Sequence, residues 1–267
     1  RIYELSLGLD QYEYGSTDLT ALVPEVGEPS VTRMTVQRQP DTRLHCVRSD
    51  GKVAMMVFEP AEKVICWFEI ETDGLIEEVV VLPGTVEDAV YYVVNRTING
   101  ATKRFLEKWT QESQARGGTD NRIADSHIVY SGAATTTLTD LDHLEGESVV
   151  VWGNGKDLGT YTVSAGQVTG LSEAVTTACV GLTYMGKWKS SKLAYAAGPR
   201  GTTLTKRGKV NRLGVILADT HPAGLQYGPD FDNLDNLPGV EAGAIVDQDV
   251  VREAYDEQSF SFDGEWN

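Results

Sequence analysis

The sequence predicts an all-β protein: antiparallel four-stranded blades of the propeller kind, with a small β barrel or sandwich inserted among them. Three observations predict it. Four short strand patterns joined only by turns fit into about forty residues, as an antiparallel meander requires. The next forty or so residues repeat that layout of strand, turn, strand, hairpin and strand, and a four-stranded sheet with two apolar faces needs a neighbour on each. No amphipathic helical pattern of any length occurs along the chain.

The elements follow in order. Arg1–Leu7 alternates as an opening strand without an initiator Met, so the chain reads as a piece of a longer polypeptide. Val31–Val36 alternates, and Arg43–Val47 follows the turn Gln39-Pro40-Asp41. Ser49-Asp50-Gly51-Lys52 reads as a tight turn in which Asp-Gly supplies the positive φ angles of a two-residue hairpin. Val53–Phe58 and Val64–Ile70 complete a first sheet. Glu77–Leu82, Ala89–Asn95 and Ala101–Trp109 form the second, with Asn99-Gly100 as its hairpin turn. Asp41 and Asp88 occupy matching places in the two repeats, as do Asp50-Gly51 and Asn99-Gly100. Two blades close no ring, so more chain or other copies are expected.

After Trp109 the stretch Gln111–Asp125 is polar and reads as a linker. From His127 to Met185 the pattern is Thr135–Leu138, a turn region at Leu141–Gly146, Ser148–Trp152, an Asn154-Gly155 turn, Gly159–Val163, Gly166–Val168 and Thr177–Leu182. Strands at this spacing describe a small barrel or sandwich. The division expected is therefore blades over 1–110, an inserted domain over 126–187 and a return to the blade domain over 188–267. In that last part Arg207–Asp219 reads as a strand, Pro222–Gly243 as a long loop and Glu253–Phe262 as a final strand.

Charge excludes one class of function and composition another. The chain of 267 residues has 39 Asp and Glu against 23 Lys and Arg, a formal charge of −16. Sequence-specific nucleic-acid binding rests on cations that neutralise phosphates, so this excess disfavours it. No run approaches the 18 or so apolar residues of a membrane span, so none is expected. Cys46, Cys66 and Cys179 are distant in sequence and sit in apolar runs, where buried free thiols are expected.

Several groups of residues have the composition of chemical sites. Asp230-Phe231-Asp232-Asn233-Leu234-Asp235-Asn236, followed by Asp247 and Asp249, opens like a calcium loop with oxygens at alternate positions. The sixth and twelfth positions are Asp235 and Glu241, where an EF-hand has Gly and Glu, so a solvated acidic loop is expected. Asp140-Leu141-Asp142-His143-Leu144-Glu145 sets a histidine among carboxylates, as general acid–base or metal chemistry would. His127 is the nearest second histidine and several strands away, so no metal is expected there. His45 in mid-strand and His221 before Pro222 read as structural. Gly153-Asn154-Gly155-Lys156 is a hairpin turn rather than a phosphate loop, and Gly198-Pro199-Arg200-Gly201 opens no helix. Asn95-Arg96-Thr97 matches the glycosylation pattern only formally. No catalytic, cofactor-binding or metal residue and no cofactor is expected, and the chain is not expected to be an enzyme.

Several stretches carry a resemblance. Cys46-Val-Arg-Ser-Asp-Gly-Lys-Val-Ala-Met-Met-Val-Phe58, then Trp67-Phe68-Glu69, Glu87-Asp88-Ala89-Val90-Tyr91 and Arg96-Thr97-Ile98-Asn99-Gly100, resemble bacteriophage proteins of the tail-nozzle or tail-tubular-B family. Tyr130-Ser131-Gly132-Ala133, Leu141–Gly146, Leu217–His221 and Tyr227-Gly228-Pro229-Asp230 extend the likeness over most of the chain. In such proteins the middle segment is similar to the small β domain named after the first catalytic-cysteine half of ubiquitin-activating enzymes. That likeness concerns a fold without catalysis, and Cys179 lies in a strand.

The resemblance implies a structural virion protein of the phage tail, synthesised in the bacterial host cytoplasm. It implies a homo-oligomer, a hexameric ring, that docks to a tail adaptor protein and passes viral DNA without gripping it. Carboxylates toward the lumen would keep the duplex sliding. Trp188, Tyr195 and Trp266 read equally as subunit contacts or as core. The competing reading is a tail-tip module that recognises host surface glycan or protein. A glycan hydrolase would need two carboxylates converging in a cleft.

Overall fold

The computed structural model describes residues 1–8, 13–115, 121–190, 208–220, 224–236, 240–241, 244–245 and 252–266, of which 208–220, 240–241, 244–245 and 252–266 are described by backbone alone. It is all-β, 58% strand, in several antiparallel sheets. Among the described residues no helix is long and apolar enough to cross a membrane. The chain divides into two compact units, Arg1–Gln111 and Glu112–Asn267.

The first unit opens with the hairpin β1 (Tyr3–Gly8) and β2 (Glu13–Asp18). Then come β3 (Val31–Gln37), β4 (Arg43–Arg48), β5 (Val53–Glu59) and β6 (Val64–Ile70), which pair in sequence order as one four-stranded antiparallel sheet. β7 (Leu75–Leu82), β8 (Ala89–Ile98) and β9 (Ala101–Lys108) form a second sheet. It has three strands where the first has four; past β9 the Trp109 N–H extends the ladder to the Val90 carbonyl, and Trp109 packs against the core.

Turn chemistry sets the registers. Asn99 and Gly100 both have positive φ, the two-residue type I′ geometry, and Ile98 pairs with Ala101 across them. The Asp50-Gly51 turn differs from its expectation. Only Gly51 has positive φ, and the Arg48 N–H bonds the Lys52 carbonyl while the Gly51 N–H bonds the Arg48 carbonyl. This is a three-residue loop, a type I turn closed by a left-handed glycine. A Cβ on Gly51 would stand 2.6 Å from a Leu75 methyl, so the site admits glycine for two reasons.

Packing of the first sheet explains its sequence. Along a strand, side chains alternate between faces, so Val47 and Val53 point one way while Leu44, Cys46, Ala54 and Met56 point the other. The first pair joins Ile76, Val79, Val90, Tyr92 and Val94 of the second sheet in one buried cluster. The other four pack with Ile2, Leu19, Val26, Val31, Phe58 and Trp67. β4 and β5 are thus buried on both faces, and each buried Val, Leu or Met contributes roughly 1.5–3 kcal/mol. The two covering layers are offset. β7 lies over β3 and β4, and the N-terminal segment holds Trp67 through an indole N–H to the Leu19 carbonyl, 2.9 Å. Each cover leaves a margin bare: β6 on the side of the second sheet, β3 on the side of the N-terminal segment.

The second unit contains a four-stranded sheet in the order β10 (Asp125–Thr135), β15 (Val175–Leu182), β12 (Ser148–Gly153) and β13 (Lys156–Thr162). A short ladder, β11 (Thr137–Leu138) with β14 (Val168–Thr169), accompanies it. Leu138, Leu141, Leu144, Val149, Val151, Val163, Val168, Val175 and Val180 are all buried. Asn154 and Gly155 both have positive φ and close the β12–β13 hairpin.

The expected strands near Arg207–Asp219 and Glu253–Phe262 are β16 (Gly208–Thr220) and β21 (Arg252–Trp266), paired with each other over most of their length. The long loop expected over Pro222–Gly243 is corrected. β17 (Gln226–Asp230) and β18 (Asn233–Asn236) form a hairpin there, and β19 (Val240–Glu241) begins a second short ladder with β20 (Ala244–Ile245). Two backbone-paired strands of polar residues carry no alternation to read, which is why the pattern was silent.

Candidate functional site

The acidic constellations come apart into local backbone duties. Asp230 Oδ1 accepts from the Asp232 N–H at 3.0 Å and from Asn233 Nδ2 at 2.8 Å, so this carboxylate closes the β17–β18 turn. The Asn233 amide and the nearby Lys189 hold Asp230 below the usual carboxylate range. The ammoniums of Lys187 and Lys189 stand 5.8 and 6.0 Å from the Phe231 ring centroid, which sets cations where a calcium loop would need anions. Asp247, Asp249, His221, Tyr195 and Gly198–Gly201 lie outside the described residues, as does the Trp266 side chain.

The second constellation is spent in the same way. Glu145 accepts from the Ala165 and Gly166 N–H groups at 3.0 and 2.7 Å, fastening the turn before β14. His143 Nε2 lies 2.9 Å from the Ser126 carbonyl, and His127 Nδ1 lies 2.8 Å from the Ala124 carbonyl. Both imidazoles therefore address the entrance to β10, although they are far apart in sequence. Among the described residues no three His, Cys, Asp or Glu side chains group as metal ligands do. The Asn95 of the glycosylation pattern lies inside β8, its amide donating to Glu77 at 2.9 Å.

The two sheets of the first unit are joined by a polar chain that begins at His45. His45 is buried on β4, its Nδ1 2.6 Å from the Tyr92 hydroxyl on β8 and its Nε2 3.1 Å from Gln37 Oε1 on β3. Gln37 spends its amide Nε2 on the Gln39 carbonyl, 2.8 Å. Its Oε1 must therefore accept, which assigns the proton of His45 to Nε2 and makes Nδ1 the acceptor of the Tyr92 O–H. Burial, with the Arg43 charge beside it, pushes the His45 pKa down to about 4. The imidazole is neutral at pH 7. Trp109 closes the cluster, edge-on to His45 at 6.3 Å and tilted against Tyr92 at 5.7 Å.

That chain continues to Asp88. Its Oδ2 accepts from the Arg38 and Gln39 N–H groups at 2.8 and 3.1 Å, and its Oδ1 accepts from Gly84 N–H at 3.0 Å. Three amide donors hold this carboxylate below the usual range. Asp88 thereby ties the loop after β3 to the loop after β7. Its repeat counterpart Asp41 instead pairs with Arg43 at 2.7 Å, so the repeat is one of layout and not of duty.

A second buried charge stiffens the second sheet. The Arg96 guanidinium, 1% exposed, grips Glu107 with two bonds of 2.7 Å and donates to the Asp73 carbonyl at 2.6 Å. A buried cation is tolerable only with such partners. On the hairpin between β4 and β5, Arg48, Asp50, Lys52, Glu69 and Glu71 form a surface ion-pair network.

What remains uncovered is apolar. Tyr3, Leu5, Leu7 and Tyr14 share one bare face of the β1–β2 hairpin. Val80, Leu82 and Leu106 are exposed on the outer face of the second sheet. Val64, Ile65 and Phe68 are exposed on the edge strand β6. The expectation for Cys66 is corrected here. Cys46 and Cys179 are buried, and burial pushes both thiols up to about 12, but Cys66 is exposed on the side of β6 that no sheet covers. Its run Val64-Ile65-Cys66-Trp67-Phe68 looks like core, since a sequence carries no mark of which strand ends a sheet. Trp188, which in sequence reads equally as core or contact, is exposed.

Sequence reasoning passed over Gln37 and the joining role of Asp88. The imidazole that Gln37 meets is 8 positions away and the loop amides that Asp88 joins to its own loop are up to 50 away, so no spacing rule could mark them. The chain matches no protein-family model and no curated protein.

Proposed function

We propose that this chain is a structural component of a phage tail nozzle or tail tube, one subunit of a ring built on propeller-like blades through which viral DNA passes. The observation that carries the reading is the pair of stacked sheets whose covering layers are offset. This leaves apolar side chains exposed on the margins at β3 and β6, and on the outer face of the second sheet. Large apolar groups on sheet edges and faces mark surfaces that other chains cover. Among the described residues, His45, Glu145 and Asp230 are engaged in turns and inter-sheet joints, as suits a wall whose work is shape. In this reading the sheet β10-β15-β12-β13 and the ladder β11-β14 close into the inserted small barrel or sandwich. The ring is hexameric, meets an adaptor ring, and turns part of its −16 charge toward the lumen.

Native mass spectrometry and electron microscopy of the purified chain test the proposal. A closed ring of fixed copy number is expected. A monomer at every concentration reached would refute it. The exposed Trp188 favours a second reading, recognition of host glycan or protein at a tail tip. Quenching of tryptophan fluorescence by host-surface glycan, lost in W188A, would establish that instead.

A further inference from the structure

Charge along this chain is segregated. Between Glu173 and Asp219 there is no acidic residue, yet eight of the 23 basic residues fall there, from Lys187 to Arg212. The other 15 basic residues stand against all 39 acidic ones, a formal charge of −24 for the rest of the chain. One molecule thus carries a basic stretch and, elsewhere, the acidic surface complementary to it.

Residues 183–190 of that stretch run outside helix and ladder. Lys187 and Lys189 reach over Phe231 of their own unit. Trp188 between them is 84% exposed and Tyr184 is 59% exposed. An aromatic pair left bare beside ammoniums fits a partner with an apolar centre and an acidic rim. The edge strand β6 has that make-up. Among the described residues it pairs with β5 alone, and Val64 and Phe68 are 41% and 43% exposed. Glu59 and Glu62 flank one end beside Lys63, and Glu69 and Glu71 flank the other in the ion-pair network of Arg48, Asp50 and Lys52, so carboxylates remain in excess over cations around the strand.

We propose that residues Tyr184–Lys189 of one copy dock along β6 of a second copy, adding an extended segment to the free edge of its first sheet. Alternation supports the fit. In an extended segment Tyr184, Gly186 and Trp188 share one face, and on β6 Val64, Cys66 and Phe68 share one face. The contact joins two different surfaces, so it is head-to-tail, the kind that closes rings rather than two-fold dimers. Opposite charge steers the encounter and makes it sensitive to salt. This inference rests on the ring reading above and says which surfaces close the ring.

The experiment is thiol trapping in the full chain. Nothing lies within 4 Å of a Cβ built at Gly186, so G186C fits without strain, and Cys66 already waits on β6. Diamide, as the added oxidant, takes the two protons and two electrons as the S–S bond forms. Covalent ladders between chains are expected on non-reducing gels, absent in the G186C chain that also carries C66S, and lost when K187E and K189E are added. W188A, a change at an exposed position, should weaken the assembly without unfolding the chain. An assembly that forms yet never traps Cys66 would overturn the inference and leave the ring standing. A cross-link within a single chain would overturn it too, and a chain that is monomeric would sink both. If K187E and K189E leave the mass of the assembly unchanged but abolish retardation of a duplex DNA fragment, the patch is a nucleic-acid site and the inference fails.

Discussion

Acidification is expected to unlock the joint at His45 before it touches most of the fold. Above pH 6.5 the imidazole is neutral in both folded and unfolded chains, so it adds no pH dependence. Below that, the unfolded chain takes up a proton that the folded chain, with its pKa near 4, refuses. Stability is therefore full above pH 6.5 and is lost as the pH falls toward 4. At 1.36 kcal/mol per pH unit the linked loss is about 1.4 kcal/mol at pH 5.5 and about 2.6 kcal/mol at pH 4.5, levelling near 3.4 below the folded pKa. The physical cause is burial, which disfavours the charged imidazolium, with the Arg43 charge beside it adding to the penalty. Hydrogen exchange read by mass spectrometry on peptides covering β4 and β8 measures opening of this unit alone. The wild-type chain and H45Q should be compared at pH 7.5, 6.5, 5.5 and 4.5. H45Q starts less stable but lacks the His45 increment, so the difference between the two curves should shrink by about 2.6 kcal/mol at pH 4.5. Parallel curves would refute the reasoning.

Two further outcomes follow from the same packing. E107A leaves the Arg96 guanidinium buried without its carboxylate and should cost about 3 kcal/mol or more in urea unfolding. Restoring stability with R96M in the same chain would identify the uncompensated charge as the cause. Native titration with an aromatic disulfide reagent should modify Cys66 rapidly while Cys46 and Cys179 wait for denaturation, and C66S should remove the rapid phase.

The limits of each element could be read where local chemistry is decisive. Val31–Gln37 through Val64–Ile70 were legible because alternation and β-branching mark strands, and Asn99-Gly100 and Asn154-Gly155 because few other dipeptides take two positive φ angles. Asp50-Gly51 misled in type, since loop length depends on which carbonyl the Arg48 N–H meets. The buried run of β5 and the exposed run of β6 share the same apolar character in sequence, and only the placement of the covering layers separates them.

The candidate site divides along the same line. Sequence alone determined that the chain is β, where its turns fall, how acidic it is and that its basic residues gather after Glu173, because these depend on neighbouring residues or on counting. Tertiary structure decided that His45 is a neutral joint between sheets, that Glu145 and Asp230 serve turns, and that Cys66 and Phe68 face outward. Each of those outcomes depends on groups brought together from distant positions, and burial, which sets both the charge state of a side chain and its freedom to meet a partner, exists only once the sheets have stacked.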